Sequence, residues 1–230
     1  MSHIFDFEPE FLELYERCRE QTMTSIERVY AAYTATRYLV DAEIAGDFVE
    51  CGVWRGGSIM AVALTLLRLG DDTRTLWLYD TFTGMTAPGP QDVQAMSGTS
   101  ASAILASHPK SDDDPFWGCA AREVVERNLR STGYPSDRIR YVEGDVMATL
   151  PRHAPDRIAL LRLDTDWYAS TLHELEHLYP RLAPGGVLIV DDYGYWRGAR
   201  QATDEYFAKT KTRPLLHRID YTGRMCVKPS

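Results

Sequence analysis

The chain has 230 residues, 44% of them hydrophobic, and a formal net charge of −8 at pH 7. That length and apolar content suit one domain with a substantial core. The scattered Lys and Arg residues of an acidic chain argue against nucleic acid or an anionic membrane surface as a partner and leave small molecules.

The opening MSHIFDFEPE carries neither the basic nor the apolar region of an export signal, and no apolar run approaches the ~18 residues of a membrane span, so the expected location is cytoplasmic. Cys18, Cys51, Cys119 and Cys226 lie far apart without a CxxC pair, which indicates neither a disulfide framework nor a cysteine zinc site. Residues 1–45 read as an N-terminal helical segment. Thr24 and Glu27 stand at capping-box spacing, and Ile26, Val29, Tyr33, Val40 and Ile44 approximate one helical face that packs on the main body.

From Gly46 short apolar runs alternate with helical stretches. Strands are predicted over 47–53, 75–81, 139–145, 158–164 and 186–192, and helices over 57–70, 119–132, 170–182 and 197–209. Two last runs, 215–220 and 224–229, joined by YTG, predict a closing antiparallel hairpin. The expected fold is therefore α/β, a seven-stranded and mostly parallel sheet in a single domain spanning 1–230. Residues 83–118, rich in Gly, Pro, Ser and Asp, far exceed the usual connection of ~4–6 residues and are read as a lid insertion, with a disordered surface insertion as the alternative.

In open α/β sheets ligands bind beyond the carboxyl ends of the strands. The first predicted strand runs into ECGVWRGGS, residues 50–58, where glycines admit a ligand to the backbone and a helix start offers N–H groups to an anion. Its G-x-x-x-G-G spacing departs from the dinucleotide fingerprint, which disfavours a nicotinamide-dependent oxidoreductase. The next strand ends at Asp80-Thr81, placed to accept hydrogen bonds from ribose hydroxyls, and the third at Asp145. A glycine loop, an acid and an acid on consecutive strand ends fit S-adenosylmethionine, with Glu50, Gly52, Gly56, Gly57, Ser58, Asp80, Thr81 and Asp145 as candidate cofactor-binding residues.

The fourth strand ends Asp164-Thr165-Asp166 and the fifth Asp191-Asp192. Adjacent acids at the end of an apolar strand repel each other unless a positive charge sits there. Convergence of Asp164, Asp191 and Asp192 would present hard oxygen donors suited to Mg²⁺; the alternative is that they cap turns. His173-Glu174-Leu175-Glu176-His177 matches the HExxH zinc signature, but its helix also carries the core stripe Leu172, Leu175, Tyr179 and Leu182, and no third ligand follows.

The blocks DFVECGVWRGGS, LYDTFTGM, VEGD, LRLDTDWYAST and PGGVLIVDDY together resemble the macrocin O-methyltransferase (TylF) family, metal-dependent enzymes that methylate sugar hydroxyls in antibiotic biosynthesis, over roughly residues 24–210. The resemblance implies a Rossmann-like class I methyltransferase with N-terminal helices, often dimeric, with a lid that closes on the acceptor. It implies that the Glu50–Ser58 loop holds the methionine portion of the cofactor, Asp80 the ribose and Asp145 the adenine region. Asp164, Asp191 and Asp192 would bind Mg²⁺, with Asp164 also the general base. The expected function is transfer of a methyl group to a hydroxyl of a (deoxy)sugar in a glycosylated natural product. A catechol or other small diol is the alternative, since either presents two adjacent hydroxyls to a cation. Trp167, Tyr168, Tyr193, Tyr195 and Trp196 follow the aspartates and would either wall an acceptor ring or pack beneath the lid.

Overall fold

Five of the apolar runs become parallel strands: β1 (Asp47–Cys51), β2 (Leu76–Asp80), β3 (Ile139–Glu143), β4 (Ile158–Leu163) and β5 (Leu182–Val190). β6 (His217–Arg218) and β7 (Arg224–Val227) close the sheet, and β7 runs antiparallel to both β5 and β6. The computed structural model describes residues 6–111 and 116–229. Its strand order is β3-β2-β1-β4-β5-β7-β6, so the topology reverses between β1 and β4 and opens a crevice beyond their carboxyl ends.

Eight α-helices accompany the strands among the described residues: α1 (Pro9–Cys18), α2 (Ile26–Asp41), α3 (Gly57–Arg68), α4 (Ala101–Ser107), α5 (Arg122–Thr132), α6 (Val146–Thr149), α7 (Tyr168–Leu178) and α8 (Arg197–Thr210). None is long and apolar enough to cross a membrane. The two-residue periodicity of a strand divides the core. Leu160 and Ile189 face one side, against Leu39 of α2, Ile59 of α3 and Leu129 of α5, while Leu161 and Leu188 face the other, against Leu175 of α7 and Tyr206 of α8. β4 is buried along its whole length, Arg162 included.

Several boundaries differ from the sequence reading. The cap of α2 is Ser25, whose Oγ accepts from Arg28 N at 3.2 Å; one position later than Thr24, it is the residue whose backbone is still extended before the first turn. β6 is shorter than the run 215–220, because Leu215 is 85% exposed and has no apolar face to join. α1 falls within the helical segment expected over residues 1–45, and its buried Phe11, Leu14 and Cys18 mark one helical face.

The described part of 83–118 packs over the carboxyl ends of the sheet; residues 112–115 of that stretch lie outside the described residues. Its Ala101 and Leu105 pack with Trp167, Trp196 and Ala199, and Thr86 O accepts from Trp167 Nε1 at 3.0 Å. Asp92 fastens the segment. Its carboxylate accepts from Tyr168 N at 2.7 Å, at the start of α7, and from Gly89 N at 2.6 Å. α8 passes so close that a Cβ at Gly198 would lie 1.9 Å from Asp92 Oδ1.

The crevice depends on one close approach of backbones. Gly52 has φ +79°, and a Cβ there would lie 1.9 Å from the carbonyl oxygen of Asp164. Gly52→Ala therefore combines strain at positive φ with a backbone clash; we expect it to lower stability by about 2 kcal/mol or more, read from its denaturant midpoint against wild type.

Candidate active site

Beyond the switch point lies a cavity of about 380 Å³, within the range of small-molecule sites. The glycine loop forms one wall. Gly56, with φ +87°, precedes α3, and Gly57 lets the N-terminal segment cross directly above, since a Cβ there would meet Gln21 O at 2.5 Å. Thr22 Oγ1 stands 3.4 Å from Ser58 Oγ, so residues of the N-terminal segment, Gln21 to Thr24, line the cavity beside the loop.

Asp80 shapes this loop from below. Its Oδ2 accepts from Val53 N at 2.7 Å and Trp54 N at 3.1 Å, and its Oδ1 accepts from Phe82 N at 2.8 Å. Thr81 closes the following turn by donating to Gly84 O at 2.7 Å. Asp145 caps α6, accepting from Met147 N at 2.8 Å, and also lines the cavity. The expected cofactor residues Glu50, Gly52, Gly57, Ser58, Asp80, Thr81 and Asp145 thus border one space. Gly56 stands just behind it, against Leu129 and Val125 of α5.

The opposite wall is ionic. Arg162, next to last in β4 and 4% exposed, donates through Nη1 to Glu50 Oε1 at 2.5 Å and through Nη2 to Asp191 Oδ1 at 2.6 Å. The same Nη2 lies 2.8 Å from Asp164 Oδ2. Arg28 of α2 holds the other oxygen of Asp191. Burial opposes ionisation of Asp191, yet these two guanidinium groups hold it below the ordinary carboxylate range. Asp191 is thus answered by arginines, whereas the sequence reading expected it beside Asp164 and Asp192 on a cation.

The oxygens that converge belong to Asp164, Asp166 and Asp192, within 4.8 Å of one another. Asp166 joins because its backbone adopts φ +68° and its Oδ2 accepts from Trp196 Nε1 at 3.0 Å. Burial pushes all three acids upward: Asp166 to about 7, with the Asp164 charge adding, and Asp164 and Asp192 well above the usual range, with neighbouring carboxylates adding in each case. Asp192 Oδ2 is buried without a hydrogen-bond partner. An orphaned buried carboxylate oxygen in a set of hard donors fits a divalent cation such as Mg²⁺.

The family model for macrocin-O-methyltransferase (TylF) matches residues 18–228. The chain belongs to the macrocin-O-methyltransferase family. An 8-demethyl-8-(2,3-dimethoxy-alpha-L-rhamnosyl)-tetracenomycin-C 4'-O-methyltransferase of Streptomyces olivaceus is 35% identical over 203 residues, 88% of this chain and 73% of the relative. Demethyldecarbamoylnovobiocin O-methyltransferase of Streptomyces niveus is 32% identical over the same shares of each chain. The solved O-methyltransferase NovP is 31% identical and superimposes with a TM-score of 0.79 over 91% of this chain and 83% of its own. The calicheamicin methyltransferase CalS11, at 18% identity and a TM-score of 0.67, shares the fold.

In this macrocin-O-methyltransferase family member the aromatic residues divide. Tyr195 and Trp196 line the cavity, and Trp167 packs edge-on to Trp196 at 5.0 Å. Tyr168 and Tyr193 turn outward to Glu205 and Asp204. The residues that sequence reasoning missed are Arg28, Arg162 and Asp166. An arginine inside the apolar run IALLRLD was the available signal for Arg162, since a charge in a doubly buried strand requires acidic partners. On α7, His173 and His177 meet each other at 4.3 Å while Glu174 between them turns into the core, and neither histidine belongs to the converging carboxylate group found among the described residues.

Glu174 accepts from Thr165 Oγ1 at 2.9 Å, beneath the Asp164–Asp166 loop, and burial pushes its pKa from 4.5 to about 8. Between those values the folded chain keeps a proton that the unfolded chain releases, so this stabilisation is full below about pH 4.5 and is lost as the pH rises to about 8. Glu174→Gln removes that loss. The melting temperature of the variant should gain on wild type steadily across this window, and a constant difference would show that Glu174 is already ionised.

Proposed function

We propose that the chain transfers the methyl group of S-adenosylmethionine to a hydroxyl of a sugar within an uncharged glycoside, with Mg²⁺ held by Asp164, Asp166 and Asp192. The convergence of these three carboxylates at the floor of the cavity carries this reading. The glycosidic acceptors named for the relatives from Streptomyces olivaceus and Streptomyces niveus agree with it.

S-adenosylmethionine, when bound, supplies an electrophilic methyl group whose leaving group is a neutral sulfide, so no acid is required on that side. Mg²⁺, when bound, lowers the pKa of an alcohol that it contacts. The residues themselves bind, orient and deprotonate. The glycine loop, Ser58 and Asp145 border the space for the cofactor, and Asp80 holds that loop in shape. Asp164 is the proposed proton acceptor: Arg162 fixes its Oδ2 at 2.8 Å, and its other oxygen lies outside that pair. Tyr195 and Trp196, with Met85 and Phe116 of the overlying segment, exclude water from the acceptor.

Charge favours a neutral acceptor over a sugar nucleotide. The cations among the cavity-lining residues are Arg28 and Arg162, and both are engaged by carboxylates. A diphosphate brought there would meet acids and find no unengaged cationic side chain among the described lining residues.

Chelation of the enzyme is expected to abolish turnover and added Mg²⁺ to restore it; full activity in metal-free enzyme would contradict the assignment. Asp164→Asn should lower kcat by about 100-fold or more while cofactor still binds, measured by calorimetry. With labelled cofactor and a panel of glycosides, sugar nucleotides and catechols, product should form on a glycoside; product on a sugar nucleotide or a catechol alone would overturn the acceptor class.

A further inference from the structure

Two helices beside the cavity begin on residues that do not cap them. α7 follows Trp167 and α8 follows Trp196, and neither start has a side-chain cap of its own. An indole has no acceptor for the unpaired N–H groups of a first turn, which Ser, Thr, Asp or Asn ordinarily satisfy. Both starts are completed instead by the segment that lies over the sheet. Asp92 Oδ1 accepts from Tyr168 N, the first residue of α7 and 76 residues further along the chain, at 2.7 Å. Val93 O accepts from Arg197 N, the first residue of α8, at 2.9 Å.

The pairing continues past these caps. Gln94 forms an antiparallel bridge with Trp196, Tyr195 O accepts from Ala95 N at 2.8 Å, and Gln94 Nε2 donates to Tyr195 Oη at 2.7 Å. Trp167 and Trp196, each 3% exposed, meet beneath the segment; Trp167 Nε1 donates to Thr86 O and Trp196 Nε1 to Asp166 Oδ2, both at 3.0 Å. Met85 N donates to Trp117 O at 2.9 Å and closes the neck of the segment. Asp92 itself is 1% exposed, so its carboxylate has left water, and the positive end of α7 is what answers its charge.

We propose that Asp92 is a positioning residue for the acceptor: by capping α7 from the overlying segment, it fixes the wall that Tyr195 and Trp196 present to the cavity, so that residues 83–118 belong to the assembled site as well as covering it. The inference rests on the glycoside reading for the identity of the acceptor alone. Asp92 touches neither the cofactor space nor the acid cluster, and it acts through the two helix starts and the tryptophans between them.

The test combines steady-state kinetics on a glycoside that the wild type methylates with hydrogen exchange read by mass spectrometry, both on the full chain. Asp92→Ala removes both acceptor oxygens. KM for the glycoside should rise about tenfold or more, as small misplacements of a substrate wall do. KM for S-adenosylmethionine should stay within about twofold, because the glycine loop is untouched. Exchange should quicken about tenfold in peptides spanning 166–172 and 195–201 and stay unchanged across α3. Asp92→Asn keeps an acceptor oxygen for Tyr168 N and should remain within about threefold of wild type in both measurements. Gly198→Ala retains Asp92 but brings a Cβ to 1.9 Å from its Oδ1, and it should reproduce the selective rise in glycoside KM. The proposal fails if Asp92→Ala leaves the glycoside KM unchanged, or if Asp92→Asn is as impaired as Asp92→Ala. It fails equally if exchange quickens throughout the chain while kcat falls and both KM values hold, the mark of a merely structural role. Wild-type enzyme that methylates no glycoside would instead overturn the functional reading, and local exchange in Asp92→Ala would still decide whether Asp92 holds this wall.

Discussion

A single buried arginine on the central strand makes the rest of the site possible. Arg162 is in register with Glu50 on one neighbouring strand and Ile189 on the other, and its guanidinium spans acids from three adjacent strand ends, Glu50, Asp164 and Asp191. Bringing those acids together in a buried crevice would otherwise be prohibitive, because each loses its hydration and repels the others. A buried ion pair is not a large net source of stability by itself. Removing one partner, however, leaves a stranded charge, and that asymmetry ties the carboxyl ends of β1, β4 and β5 into one unit.

The arginines do not neutralise the whole cluster. Glu50, Asp164, Asp166, Asp191, Asp192 and Asp220 face Arg28 and Arg162, and the deficit is concentrated where Asp164, Asp166 and Asp192 converge. The unneutralised end of the network is also the end that opens into the cavity. The proposed cation site is thus the remainder of a structural ion-pair network. The same geometry explains the glycines: only a residue without Cβ brings the β1 loop against the Asp164 carbonyl, and only Gly198 lets α8 pass the carboxylate that fastens residues 83–118.

Much of this was legible in the sequence. The alternation of apolar runs with helical stretches placed the parallel strands, because a strand buried on both faces needs a continuous apolar run. The glycine loop, Asp80, Asp145 and Asp164 were legible because each ends a strand or follows one within two residues, and the topology carries strand ends to one crevice. The partners of Asp191 were not. A pattern of acids declares that a positive charge is needed without saying whether it is an ion or a side chain, and Arg28 is 163 residues away from Asp191 along the chain. Asp166 was visible in the same block as Asp164, but its place depends on a left-handed backbone that local pattern does not announce in a non-glycine residue.

The account turns on whether Arg162 carries the assembly of the strand ends, and equilibrium denaturation of Arg162→Met at neutral pH reads this most directly. Methionine keeps an unbranched apolar stem and removes the guanidinium with its charge and hydrogen bonds. The account predicts a loss of about 3–5 kcal/mol, the cost of leaving buried carboxylates unpaired. A loss within about 0.5 kcal/mol, as for an ordinary surface substitution, would contradict it.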